Sequence, residues 1–436
     1  MSISSQKLNR VSQNAAIVYR RLCNPAIGAH SLNEKEVRSL KTYCFALISK
    51  WSVSVAHDVR RGRFRDARRL QVRLFESPAA RLVAAWQADA KIRKRRRRQL
   101  RARGAVSVLR PQRFADVWQL AEQLSNARAP ASAIILEKPK RSGGYRLLCV
   151  PDRFGVAKQH LLVNAIKPFA SFHPSQFALR RGRSVACESL LRTMNEPDPC
   201  NTRFVQFDVV DFYTSISRQY VEEVLPAPKA VIRNTLFLEG WNISGVTMDR
   251  RGLPQGLAAS SLVAEMVMAN VLRDIADLTA DLHCIHAYSD NWGGFVPHDK
   301  DVGVLVESLK HAFEVHRAGP YRITHDYGER GQSFKFLGYY FKPRADGPAR
   351  VSLPKNLVRT MESELTGELC AADSIQEVLK VRSRLLSFCS AYSLAAETRP
   401  LLSRVGRLIV GELDYRYRQF GEPRTDGTSL EQVTRT

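Results

Sequence analysis

Two aspartates interrupt apolar segments that otherwise have the composition of buried strands. The first lies in Phe204-Val-Gln-Phe-Asp208-Val-Val-Asp211-Phe-Tyr213 and the second in Cys284-Ile-His-Ala-Tyr288-Ser-Asp290-Asn291-Trp292. An ionised carboxylate in such a strand is expensive unless it is paired or bound to metal. Two of them within one span predict a fold that brings both strands to a shared divalent cation held by hard oxygen ligands. Two-metal phosphoryl transfer is the chemistry that suits this donor set.

The 436-residue chain has a formal net charge of +25 and a pI near 10.1. An excess of that size calls for a polyanionic partner, and nucleic acid is favoured over a membrane surface. With 44% hydrophobic and 25% charged residues, the composition is that of a globular protein of two or three subdomains. The apolar stretch 258–272 is interrupted by Ser260, Ser261, Glu265 and Asn270, so no run reaches the roughly 20 residues that a membrane span needs. Met1-Ser-Ile-Ser-Ser-Gln-Lys7 lacks the apolar centre of a signal peptide. Cysteines stand singly at 23, 44, 149, 187, 200, 284, 370 and 389, without paired spacing, which fits a reducing cytoplasm.

Residues 1 to about 105 read as helical and basic. Val55, Val59, Leu70, Leu74, Leu82, Ala85 and Trp86 recur at helical spacing, broken at Gly62 and at Ser77-Pro78. Lys91, Arg93, Lys94, Arg95, Arg96, Arg97 and Arg98 then begin a thirteen-residue run, ending at Arg103, with nine basic residues and no acid. A solvated helix face would give the same run; its density favours RNA phosphate contact. From Ala131 to Asp152 the pattern changes to two short strands around the basic turn Lys138-Pro-Lys140-Arg141-Ser-Gly-Gly144, with Arg146 on the return strand. Such a tip can close over a triphosphate, or be a plain surface hairpin. Helices are expected over 156–169 and 257–275, strands over 204–213 and 284–296, a strand and turn over 334–341, and helices again after Pro354.

The offsets from Asp208 have mechanical reasons. Asp208 and Val210 share a strand face, and a turn after them brings Asp211 near an incoming triphosphate. Tyr213 is placed to exclude a ribose 2′-hydroxyl, although a core aromatic would read identically. Arg251-Gly-Leu-Pro-Gln-Gly256 supplies a tight turn in which Gln255 offers both a donor and an acceptor. Alone it is as well explained by a turn before a helix; in order between Asp208 and Tyr288-Ser-Asp290-Asn291 it is specific.

On these segments the chain resembles the reverse transcriptases over about residues 50–400. Phe207–Tyr213 resembles their first catalytic motif, Gly252–Gly256 their second, Tyr288–Asn291 their Tyr-x-Asp-Asp box, and Phe336-Leu-Gly-Tyr339 the turn that grips the primer. Gly144-Tyr-Arg146-Leu with Pro151-Asp152 is similar to their fingers hairpin, and 176–184 to the segment before the palm. Leu253-Pro-Gln-Gly-Leu-Ala-Ala-Ser260 looks closest to the bacterial anti-phage defence enzymes, and Ala67–Gln71 with Ser77–Arg81 resembles the leader of group II intron proteins. No retron Val-Thr-Gly is visible. Asn291 departs from the pattern by replacing the second aspartate of the box while keeping a side-chain oxygen.

The resemblance implies an α+β right-hand polymerase fold: a basic helical RNA-binding region over 1–110, fingers over 111–203, palm over 204–345 and a helical thumb over 346–436. It implies two Mg²⁺ ions, with Mn²⁺ as substitute, held by Asp208, Asp290 and the Val209 carbonyl, with Asn291 in the catalytic box. Lys140, Arg141, Arg146, Asp211, Tyr213 and Gln255 are the expected nucleotide-binding residues. The implied partners are an RNA template, as a structured non-coding transcript, dNTPs and a DNA product, with no membrane. Two alternatives stay open: a maturase-like RNA-binding protein with a vestigial site, and a template-independent polymerase.

Overall fold

The computed structural model describes residues 32–102, 113–126, 128–140, 143–179, 182–196, 202–247, 252–297, 299–328, 331–344 and 347–420, with Ala16 and Tyr19. Three helices come first, α1 (Glu34–Arg60), α2 (Phe64–Glu76) and α3 (Pro78–Ala102). Asn33 starts α1 by accepting from the Glu36 amide at 3.0 Å while the Glu36 carboxylate accepts from the Asn33 amide at 2.9 Å. This reciprocal pairing satisfies two N–H groups that a helix start leaves open. Pro78 opens α3, where its missing N–H costs nothing. The breaks expected at Gly62 and at Ser77-Pro78 are the two helix boundaries.

The first half of α3 is buried on most sides, through Ala79, Ala80, Leu82, Val83, Ala84, Ala85, Trp86 and Ala88. Its second half carries the basic run. Next come α4 (Phe114–Gln123), the hairpin β1 (Ser132–Pro139) and β2 (Tyr145–Pro151), and α5 (Arg153–Ile166) with a 3-10 turn at Lys167–Phe169. The helix expected from 156 begins three residues earlier because Asp152 caps it, accepting from the Gly155 amide at 2.6 Å. Buried Lys158 on α5 donates to the Ala129 carbonyl at 2.6 Å and to the Asn234 side-chain oxygen.

The chain continues through α6 (Gly182–Met194), β3 (Thr202–Val209), α7 (Phe212–Ser215), α8 (Arg218–Val224), α9 (Lys229–Leu236), β4 (Asn242–Gly245) and α10 (Ala258–Asp274). Then follow β5 (His283–Tyr288), β6 (Asn291–Pro297), α11 (Val302–Glu314), β7 (Ile323–Tyr327), β8 (Phe334–Phe336), β9 (Tyr339–Lys342) and β10 (Arg350–Ser352). Helices α12 (Lys355–Cys370), α13 (Ile375–Ala391) and α14 (Thr398–Phe420) end the described chain. Two sequence expectations are refined. The strand expected to Tyr213 ends at Val209, because Asp211 takes φ 49 and turns the chain into α7. The strand expected over 284–296 is a hairpin, divided at Ser289-Asp290.

Mixed helix and sheet confirm the α+β class. The chain divides into two compact units, one of Met1–Gln176, Val209–Thr279 and Gly303–Thr324, the other of Phe177–Asp208, Ala280–Val302 and His325–Thr436. In the first unit, α1 to α5 share an apolar core, and a three-stranded sheet has the order β2-β1-β4. In the second, Phe204, Phe336, Tyr339 and Phe341 pack with Leu365, Val378, Leu385, Leu401 and Val405 from the last three helices. There β8 and β9 form a hairpin whose two turn residues, Leu337 and Gly338, have φ 49 and 82, the paired positive values of a tight primed turn. A four-stranded sheet has the order β5-β6-β3-β7.

Candidate active site

Strand alternation sorts the β3 side chains. Phe207 and its cross-strand partner Trp292 are fully buried and stacked, with ring centroids 4.4 Å apart, on one face of the sheet. Gln206 and Asp208, at even positions, face the other way. Antiparallel register sets Asp208 opposite Asn291, and Tyr288 pairs with Asn291 across β5–β6. Asp290 is therefore at the two-residue tip of the hairpin, next to the position facing Asp208. Ser289, with φ 60, supplies the left-handed conformation that so tight a connection demands.

Both carboxyls titrate above the ordinary carboxylate range. Burial is the larger cause for Asp290, and the neighbouring Asp208 charge adds to it. Burial also raises Asp208, opposed by its hydrogen bond from Asn291. Two desolvated carboxylates, one repelling the other, are an anionic oxygen-donor pair that a hard divalent cation would relieve. Mg²⁺ or Mn²⁺ fits that donor set. Val209, buried, continues the strand directly after Asp208.

Asn291 donates through Nδ2 to Asp208 Oδ1 at 3.3 Å, and its amide oxygen accepts from Gln206 Nε2 at 2.9 Å. In this arrangement Gln206 engages one of the two lone pairs of that oxygen. Two further side chains join the site beyond those that the motifs mark: Gln206, and Ser289, which hydrogen-bonds the Asp290 carboxylate. Gln206 was legible in principle, since it stands two residues before Asp208 on the same strand face. The contribution of Ser289 depends on the hairpin tip and leaves no sequence signal.

In the first unit the structure brings together several expected nucleotide-binding residues. Lys140, at the hairpin tip, has Nζ 3.6 Å from the exposed Asp211 carboxylate. Arg146 is exposed on β2 and pairs in register with Lys138. The Gln255 carbonyl accepts from the Cys149 amide at 2.8 Å, which docks the Leu253–Gly256 turn on β2. Gly256 has φ 98, and a Cβ there would lie 2.6 Å from the Cys149 carbonyl oxygen. At Gly252 a Cβ would lie 2.3 Å from the Thr214 carbonyl oxygen. Both glycines are thus required by close backbone approach. The Tyr213 carbonyl accepts from Leu253 N at 2.7 Å, and its half-buried ring stands edge-on to Phe212. Arg141 lies outside the described residues, as do Arg251 and Arg103.

Helical geometry divides the basic run into two faces. Arg93, Lys94, Arg97 and Arg98 line a cavity of about 760 Å³ with Lys41, Trp86, Asp89 and Phe114. Arg95 and Arg96 point elsewhere on the exposed surface. Arg93 pairs with Asp89 at 2.8 Å, and Lys91 lies close enough to His160 for its charge to disfavour protonation of the imidazole. No helix among the described residues is long and apolar enough to cross a membrane.

Residues 138–341 match the family model described as reverse transcriptase (RNA-dependent DNA polymerase). No curated protein sequence matches the chain. Solved structures with a similar chain trace include apo telomerase from Candida tropicalis, at 13% identity and a TM-score of 0.40, covering 72% of this chain and 61% of that one. Its form truncated from the C-terminal domain gives 14% identity and a TM-score of 0.38 over 52% and 56% of the two chains. Telomerase from Candida albicans in complex with a fragment of telomeric RNA gives 10% and 0.38 over 72% and 67%. This chain thus spans 56% to 61% of the length of the first two telomerase chains it matches. The family match coincides with the stretch that carries Lys140, Asp208, Gln255, Asp290 and the Phe336–Tyr339 turn, so residues 138–341 of this chain are similar to a reverse transcriptase domain.

Proposed function

We propose that this protein extends DNA on an RNA template by two-metal phosphoryl transfer, with a cognate structured non-coding RNA as template and bacterial anti-phage defence as its setting. The observation that carries the catalytic part is the Asp208–Asp290 pair, two desolvated carboxylates within one matched domain whose raised pKa values make a divalent cation their natural partner. Asp208, Asp290 and the Val209 carbonyl would hold the ions. Bound there, two Mg²⁺ ions, or Mn²⁺, supply activation of a primer hydroxyl and stabilisation of the leaving pyrophosphate.

The remaining roles belong to side chains. Lys140, Arg141 and Arg146 neutralise the triphosphate, Asp211 lies beside Lys140 to orient it, and Gln255 and Tyr213 shape the base and sugar pocket. Asn291 steadies Asp208 through its donated N–H. The groove face of the basic run, with Lys91, Arg95 and Arg96 nearby, holds RNA. Support for the defence setting is the style of Leu253–Ser260 alone.

The test is incorporation by protein purified with its bound RNA, with dNTPs against NTPs and with Mg²⁺, Mn²⁺ or chelator. Deoxynucleotide incorporation should require the metal and disappear in both Asp208→Ala and Asp290→Ala, with RNA binding kept. Incorporation that survives in both variants would overturn the catalytic assignment. A wild type inert with every metal and nucleotide would favour the maturase-like reading, and incorporation that ignores template sequence would favour the template-independent one. Sequencing the co-purified RNA identifies the template.

A further inference from the structure

The far end of β5 from Asp290 carries a second group of metal-type donors. His283 Nε2 lies 3.3 Å from Glu196 Oε2 and 3.4 Å from Cys284 Sγ, and the three ligand atoms all lie within 4.8 Å of one another. With Zn–N and Zn–O bonds of about 2.0–2.1 Å and Zn–S of about 2.3 Å, a tetrahedral site has an N–O edge of about 3.3 Å and an N–S edge of about 3.6 Å. Both separations from the imidazole are close to those edges.

The backbone makes this grouping possible. In a regular strand, adjacent residues point to opposite faces, so His283 and Cys284 could not share a ligand. Here the β5–β6 register shifts between His283 and His286, and Cys284 takes φ 55, an uncommon conformation for a residue with a Cβ. That irregularity turns the thiol toward the imidazole. It is held in place from behind: buried His286 donates through Nδ1 to the Cys284 carbonyl at 2.7 Å, places Nε2 3.2 Å from Ser189 Oγ on α6, and stacks on Phe177 with ring centroids 5.7 Å apart. Glu196 follows Asn195, whose side-chain oxygen accepts from the Ala349 amide at 2.8 Å. An ordinary Glu196–His283 ion pair, with both side chains more than half exposed, would contribute little and would not need the Cys284 backbone.

We propose that Glu196, His283 and Cys284 bind one zinc-class transition-metal ion, with solvent in the fourth position, tying the end of α6 to the start of β5. A thiolate, an imidazole and a carboxylate suit a borderline-soft ion and not Mg²⁺, which separates this site chemically from the Asp208–Asp290 pair. It is also distant along the strand, by roughly 13 Å for the rise from Cys284 to Tyr288, where the hairpin turn that carries Asp290 begins. Binding exchanges the Cys284 S–H bond for a metal–sulfur bond, and the proton leaves to solvent.

The test uses the full chain, stripped of metal and titrated with Co²⁺ in the absence of nucleotide. With excess Mg²⁺ present to occupy the Asp208–Asp290 pair, one Co²⁺ per chain should bind with thiolate charge-transfer absorption and intense tetrahedral d–d bands, release a proton and be displaced by Zn²⁺. Cys284→Ser should remove the charge-transfer band. Glu196→Gln, a change at an exposed position that leaves the fold intact, should weaken Co²⁺ binding by at least about 10-fold to 100-fold, while Asp290→Asn and Cys370→Ser leave it unchanged. Absence of the thiolate band in wild type, its persistence in Cys284→Ser, or indifference to Glu196→Gln would overturn the proposal.

Discussion

Asp290 holds its position against its own electrostatics. Because its folded pKa is raised, first by burial and then by Asp208, the native state takes up a proton more readily than the unfolded chain. Stability of the metal-free protein therefore falls as pH rises from the ordinary carboxylate value through the raised one, and the penalty is fully present above it. Asp290→Asn should raise the melting temperature of metal-free protein at neutral pH, with the advantage shrinking as pH is lowered through that window; a melt series against pH checks it. Asn291→Asp works in the opposite sense. It exchanges the N–H donated to Asp208 for a third charge beside the pair. The metal-free melting temperature should drop and the Mg²⁺ concentration for half-maximal incorporation should fall, both read by titration. If the substitution left metal dependence and stability unchanged, the Asn291–Asp208 hydrogen bond would have no energetic role.

At the scale of elements, α3 and α5 meet at an unusual histidine. Burial, and then the charge of Lys91, depress the His160 imidazole to about 4 from an ordinary 6.5. Its Nε2 is buried without a hydrogen bond among the described residues. Between those two values the unfolded chain binds a proton that the native state refuses, so stability is lost as pH falls from about 6.5 toward 4. His160→Leu should flatten the stability profile over that interval, as read by chemical denaturation at a series of pH values. The same packing explains how α3 serves two roles. Its first half is core, which fixes the direction of the second, and the helical period then determines which arginines face the groove with Trp86 and Phe114.

For the whole molecule, a net charge of +25 means that binding of any polyanion will be strongly dependent on salt. Not all of that charge acts alike. Neutralising Lys94, Arg97 and Arg98 together should weaken RNA binding about equally across sequences and flatten the log–log salt slope by about 0.7–0.9 for each phosphate that the protein no longer neutralises. Neutralising Arg95 and Arg96, outside the groove, should change the slope less. Equal slopes in wild type and the triple variant, measured by RNA binding over a range of salt, would make the run a solvated helix face. These residues lie before the matched domain, so the same variants should leave incorporation at low salt nearly intact.

Much of the matched segment was legible in the sequence because its residues obey local rules. Apolar strands interrupted by Asp208 and Asp290, the glycines at 252 and 256, the basic hairpin tip and the Phe336–Tyr339 turn each require a particular residue at a particular offset, and periodicity alone located most helices. Tertiary structure decided what depends on register and on desolvation. It set Asn291 opposite Asp208 with Gln206 engaging its oxygen, ended β3 at Val209, and split one basic run between groove and surface. It also turned His283 and Cys284 to the same side through a strand irregularity that alternation in the sequence could not predict. The division has a physical cause: residue type and spacing fix backbone preference and burial tendency, whereas distances between charges, and hence their pKa values and possible ligands, exist only once strands distant in sequence are paired.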